Sequence, residues 1–297
     1  MKIGIALSGG GIKSFSQLPV FRKLEEDGIK MDAISGASMG SVIAAFVAAG
    51  VDLDTIQERL IEIEERFFKE KTFILPSHKL LPFSKNRLEG GYVDGALLEA
   101  KLQEVFDELG ISHISDVKIP LAIPSVDIVS GRLVVFVSHP ELFKSPNPDW
   151  IIVSDVPLAL AVRASCSFPI VISAVHFENY KLVDGGIILN LPLPLLDGYK
   201  VAKKIAVTMH SVPKMEEQLR FTNTLTRVLD IQRVEMDKLW IKDADVVINI
   251  PLDAVQIFDI GKGILTIQAG ERALAANGED VFTDLTKKRW FEKILKK

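Results

Sequence analysis

The first fifty residues repeat one unit, an apolar run that ends in glycines and then gives way to a helical pattern. Residues 2–7 read as a strand closed by SGGG, after which Phe15, Leu18, Phe21 and Leu24 recur at helical spacing up to a stop at Gly28. Residues 31–35 form a second short strand, 39–49 a second helix, and Gly50 its C-terminal stop. Strand, turn and helix in that order place successive strands side by side with helices across the sheet faces. The expected class is therefore α/β, with a central, mostly parallel or mixed sheet sandwiched between helices in three layers.

The alternation continues. Helices are expected over 53–68, 95–109, 157–165 and 221–239, with more from 263 onward. Strands are expected over 119–126, 132–138, 170–174, 180–183, 201–208 and 245–250. The turn at 129–132 makes 119–126 and 132–138 an antiparallel pair. At 297 residues and 48% hydrophobic the chain has apolar material for one large core, read as a core unit over 3–209 with 210–297 packed on the same domain. Residues 68–91 break the pattern with prolines and a mixture of basic and apolar side chains. They read as a long loop, either packed on the core or serving as a lid or a transient peripheral membrane contact.

Several classes are disfavoured. A net charge of −4 argues against a nucleic-acid partner. A single cysteine, Cys166, excludes an internal disulfide, and its apolar surroundings suit a buried structural thiol. The longest apolar run, 42–51, is too short to span a bilayer, and the N-terminus lacks the pattern of a secretory signal. Cytoplasmic residence is expected, with peripheral contact at the inner membrane surface through 68–91. Nothing in the sequence fixes the oligomeric state. No cofactor is expected, because neither metal-ligand spacing nor a calcium loop is present.

Chemistry concentrates at three places. GASMG, residues 36–40, stands where a strand gives way to a helix. This is the pattern of a sharp nucleophile turn in which Gly36 and Gly40 leave room and Ser38 presents its hydroxyl at the tip. Alone the pentapeptide is weak, since a helix N-cap at Ser38 explains the serine equally well. The triple glycine Gly9, Gly10, Gly11 lets backbone N–H groups converge as an oxyanion hole requires. Phosphate-binding loops fail by one residue, because Ile12 precedes Lys13 and Ser14 stands where a dinucleotide fingerprint needs glycine. The third place is Asp184 in LVDGG, a carboxylate at a strand end. None of the five histidines lies in an evident catalytic motif.

In this order SGGGIKS, GASMG and DGG resemble the patatin-like phospholipase family, and the likeness runs from Ile3 to about Pro194. The resemblance implies a serine–aspartate dyad acting on a lipid or other small ester substrate. Ser38 would attack the carbonyl, Asp184 would serve as general base, and the Gly9–Gly11 loop with Lys13 would hold the oxyanion. Loss of one such donor typically costs about 3 kcal/mol of transition-state stabilisation. Lys13 replaces the commoner arginine and Ser14 a usual glycine, with Ser14 read here as the cap of the following helix. Two alternatives stand beside this one: a Ser–Asp–His esterase using His210, and a non-catalytic protein of the same fold that binds an acyl ligand.

Overall fold

A computed structural model describes residues 1–73, 77, 79, 88–210, 221–253, 255–278 and 281–286, with the backbone alone at 221–226, 277, 284 and 286. Half of the loop read at 68–91 therefore lies outside the described residues, as does 287–297 at the C-terminus.

Strand β1 (Ile3–Leu7) runs into a 3-10 helix (Gly11–Gln17) and then α1 (Leu18–Glu26). Next come β2 (Ala33–Gly36), α2 (Met39–Ala49), α3 (Leu53–Lys69), β3 (Gly91–Val93), α4 (Ala96–Glu108), β4 (Leu121–Asp127), β5 (Arg132–Val137) and β6 (Ile151–Val153). After α5 (Leu158–Ser165) the chain forms β7 (Ile170–Ile172), β8 (Val175–Phe177), β9 (Tyr180–Asp184), α6 (Gly186–Leu189) and α7 (Leu195–Gly198). It finishes with β10 (Lys203–Thr208), α8 (Phe221–Ile241), β11 (Val246–Asn249), α9 (Gly263–Asn277) and α10 (Thr283–Thr286).

The main sheet has the order β11-β10-β1-β2-β4-β5-β6. From β11 to β4 all neighbours are parallel, and β5 turns back antiparallel to β4 as the 129–132 turn implied. The strand β11 from the C-terminal third thus extends the same sheet as β1. One edge of β4 is shared by two strands. Its first residues pair with β2 in parallel (Ser35 with Ala122), and its last pair with β9 antiparallel (Asp184 with Ser125). With β5 filling the other edge, β2 and β9 point their C-termini at each other along one lane.

Side chains alternate between two cores, as the twofold repeat of a strand dictates. Ile5, Leu7, Ile34, Ile205 and Val207 face a large core that includes residues of α1, α2, α3, α4, α5 and α9. Their neighbours Ala6, Ala33, Ala122 and Ala206 face the other side, where Leu195, Leu196 and Tyr199 close over them. Small residues there let α7 come close: a Cβ on Gly4 would stand 3.1 Å from Leu196. Helix α2 is apolar all round and buried along nearly its whole length, as a helix at the centre of a layer must be. It ends on Gly50 in the left-handed region at φ 77°.

Ser14 does not cap the helix after the glycine loop. Gly11, at φ 57°, turns the chain directly into the 3-10 helix, and Ile12 N–H bonds the carbonyl of Ile257 at 3.0 Å. The helical region therefore opens before Ser14, which is fully buried, its hydroxyl without a hydrogen-bond partner among the described residues.

Candidate active site

Ser38 occupies a backbone conformation, φ 50° and ψ −133°, that a residue with a side chain adopts only under constraint, at a cost of about 1–3 kcal/mol. The constraints are visible. Ala37 N–H bonds Leu7 C=O at 3.2 Å, Ser38 N–H bonds the buried Ser165 hydroxyl oxygen at 3.0 Å, and the Ser41 hydroxyl donates to Ser38 C=O at 2.6 Å. The flanking glycines are required by space: a Cβ on Gly36 would lie 2.4 Å from the Gly40 carbonyl oxygen, and one on Gly40 2.8 Å from the carbonyls of Leu7 and Ser8. The Ser38 side chain makes no capping bond to α2, so the N-cap reading of this serine fails.

The three glycines divide their tasks. Gly9 N–H is engaged by the Asn190 carbonyl at 3.2 Å, so Gly9 is not an oxyanion donor. What it provides is clearance, since a Cβ there would come within 2.8 Å of Ser38 Cβ. Among the described residues the N–H groups of Gly10 and Gly11, at the start of the 3-10 helix, have no acceptor in the chain. Lys13 also departs from its expected role. Its N–H turns back to Gly10 C=O at 3.3 Å, and its buried side chain lines a polar cleft of about 350 Å³ together with Gly9, Asn190, His210, Arg233 and Asp237. Burial lowers its pKa, partly opposed by Asp230.

Asp184 lies at the tip of β9, its N–H bonded to Ser167 C=O at 3.0 Å and its Oδ1 accepting from Gly186 N–H at 2.7 Å. Arg163 braces this region from below: buried, it donates to Gly95 C=O at 2.6 Å, to Ser173 C=O at 2.7 Å and to the Ser167 hydroxyl. The Asp184 carboxyl is buried, and among the described residues Oδ2 has no hydrogen-bond partner. Burial pushes its pKa up to about 6, against the opposing pull of the nearby Ser38 hydroxyl, the Gly186 amide and the Arg233 charge. Serine hydroxyl and carboxyl are thus neighbours, one strained and the other poised near neutrality.

Ser38 opens on an apolar cavity whose walls include Phe15, Val42, Leu60, Phe67, Leu98 and Phe258. Its near-absence of polar lining suits a hydrocarbon chain. Cys166 also borders it, but burial raises the thiol's pKa, which keeps it protonated. His210 is placed elsewhere. Its Nε2 lies 2.9 Å from Oδ2 of buried Asp237, which also accepts from Leu191 N–H and the Asn190 amide. The esterase alternative built on Ser38, Asp184 and His210 is therefore not assembled. Among the described residues no group of three or more histidine, cysteine or acidic side chains is placed to hold a metal. No described helix is long and apolar enough to cross a membrane.

Comparison with known proteins bears on the same region. The family model for patatin-like phospholipases matches residues 5–197, which include the glycine loop, the serine turn and Asp184. This chain is a patatin-like phospholipase family member. YqhO of Bacillus subtilis (strain 168) is 28% identical over 215 residues, covering 70% of this chain and 72% of YqhO. Lysophospholipase NTE1 of Mycosarcoma maydis is 27% identical over 212 residues, 71% of this chain but 10% of that much longer protein. Among solved structures, VipD from Legionella pneumophila aligns with 93% of this chain and 67% of its own at 14% identity and a TM-score of 0.46.

The patatin-like match ends before the C-terminal third, which carries no motif and yet borders the site on several sides. Arg233, on α8, lines the cavity at Ser38, the crevice at Asp184 and the cleft at Lys13. Ile257 props the glycine loop, where a Cβ on Gly11 would stand 2.0 Å from its carbonyl oxygen. Ser165, which holds the Ser38 amide, lies 127 residues away in sequence. No local sequence signal marks any of these three.

Proposed function

We propose that this chain cleaves carboxylic esters of lipids through an acyl-enzyme on Ser38, with Asp184 as general base. The observation that carries the reading is the juxtaposition of a strained serine, a buried carboxyl with an unpartnered oxygen and an apolar cavity at one point. Ser38 Oγ attacks the ester carbonyl while its proton passes to Asp184. The developing oxyanion takes the free N–H groups of Gly10 and Gly11. Asp184 returns the proton to the leaving alcohol as the C–O bond breaks. Asp184 then deprotonates a water that attacks the acyl carbonyl, and Ser38 recovers its proton as the acid departs. The acyl chain lies in the cavity beyond Met39 and Val42. A dyad suffices because a carboxyl whose pKa is about 6 is a stronger base than an ordinary aspartate and is largely ionised at neutral pH.

The test pairs hydrolysis of a p-nitrophenyl ester with covalent labelling by a fluorophosphonate. Both are expected in the wild type and absent from Ser38→Ala. Hydrolysis that survives this substitution would sink the reading, and a protein that binds acyl ligands without labelling would support the non-catalytic alternative.

A further inference from the structure

Large apolar side chains normally face inward, and a cluster of them at the surface marks a contact. Phe68 at the end of α3 is 62% exposed, and Ile264 and Leu265 in the first turn of α9 are 56% and 55% exposed. These three share one groove of about 840 Å³ with Ile61 and Gly261. Its floor is fixed: buried Glu64 on α3 accepts from Gly261 N–H at 2.6 Å and Gly263 N–H at 3.0 Å, tying the two helices together. Glu64 and Ile260 wall both this groove and the apolar cavity at Ser38, so the patch stands immediately outside the cavity.

We propose that the Phe68, Ile264 and Leu265 surface docks the chain on a zwitterionic lipid interface, beside the cavity that receives an acyl chain. The inference rests on the hydrolase reading for its purpose but not for its test. Charge selects the kind of lipid. Lys69 pairs with Glu65 at 3.4 Å and Lys262 with Asp259 at 2.7 Å, and Glu64 in the floor adds a third carboxylate, so the groove offers no positive field to an anionic surface. Attachment then comes from apolar insertion and is insensitive to ionic strength. The location differs from the contact expected at 68–91, sharing Phe68 with it but drawing its other members from α9.

The experiment is co-sedimentation of the full chain with phosphatidylcholine vesicles at low and high salt. Wild-type protein binds equally at both, and Phe68→Ser with Leu265→Ser weakens binding about tenfold for each residue, about a hundredfold together. Leu142→Ser is the control. That residue is also exposed, but Phe143 beside it packs on Tyr199 in the core on the other face of the sheet from α3 and α9; its binding is unchanged. Phe68→Trp keeps binding and shifts its fluorescence to the blue on vesicles. Both serine variants retain the wild-type far-ultraviolet circular dichroism spectrum and a cooperative thermal transition, which shows that they fold. No binding by the wild type, undiminished binding by the double variant, binding that high salt abolishes, or a dimer in solution that Phe68→Ser dissociates would each overturn the proposal. A chain that binds vesicles in this way but hydrolyses no ester would leave docking intact and remove the function assigned above.

Discussion

The pH dependence of turnover tests the proposed base directly. An aspartate with an ordinary pKa of 3.8 is ionised throughout pH 5 to 7, and a reaction relying on it would be flat there. Burial places the Asp184 pKa at about 6. At pH 5 only about a tenth of such a group is ionised, so kcat/KM should fall about tenfold from pH 7 to pH 5. The charge of Arg233 opposes the effect of burial, so Arg233→Gln should move the midpoint further up. Stability follows the opposite course. Because the folded pKa lies above the unfolded value, the native state keeps a proton that the unfolded chain has lost between about 3.8 and 6. Stability from this group is greatest below that window, declines as pH rises through it, and stays reduced above it by roughly 3 kcal/mol for a shift of about two units. The assay is product release by chromatography on a soluble ester, across pH 4.5 to 8, for wild type and Arg233→Gln. A profile flat from pH 5 to 7, or a midpoint near 4, would refute the assignment of Asp184 as a buried base.

Asp184→Asn removes the buried charge while keeping the shape, so the variant should be inactive and yet melt several degrees higher than wild type at pH 8, as calorimetry would show. Ser165→Ala leaves the Ser38 amide buried without an acceptor; kcat should fall at least tenfold with little change in KM, and threonine should restore it, in steady-state kinetics. Gly36→Ala drives a Cβ against the Gly40 carbonyl and should yield insoluble or unfolded protein on expression, whereas Gly28→Ala, where the added Cβ meets no atom within 4 Å, should cost only the strain of its positive φ. His210→Ala should retain ester hydrolysis within a few fold, since its ring nitrogen meets Asp237.

Much of this arrangement could be read in the sequence because its causes are local. Helix 39–49 emerges with the expected bounds, since an apolar segment between a serine turn and Gly50 has few other solutions. The antiparallel pair around residue 130 follows from its turn, and the serine turn from two glycines that no other residue could replace. Short elements escaped: β3, β6 and β8 have three residues each, and α6 and α7 four, too few to show a period. So did every role set by distant partners. Gly9 looked like a donor until the Asn190 carbonyl took its N–H, and Ser14 looked like a cap until Ile257 fixed the loop ahead of it. Arg233 and Ser165 belong to stretches where nothing but folding brings them to the serine.

The shared edge of β4 has a further meaning. Along it, Ser35 of β2 and Asp184 of β9 are paired with residues three positions apart, about 10 Å, and the two strand tips approach from opposite directions. Between them stands Pro124, whose carbonyl oxygen would be 2.2 Å from a Cβ on Gly185; a residue without an N–H suits the one stretch of the lane where no strand accepts. The spacing between the end of β2, from which the Ser38 turn springs, and the carboxyl is thus ruled by ladder rungs, as on a graduated rail. A one-residue slip of β9 would carry the carboxyl about 3.3 Å along and turn it to the other face, whereas lengthening the β8–β9 turn should leave the gauge untouched.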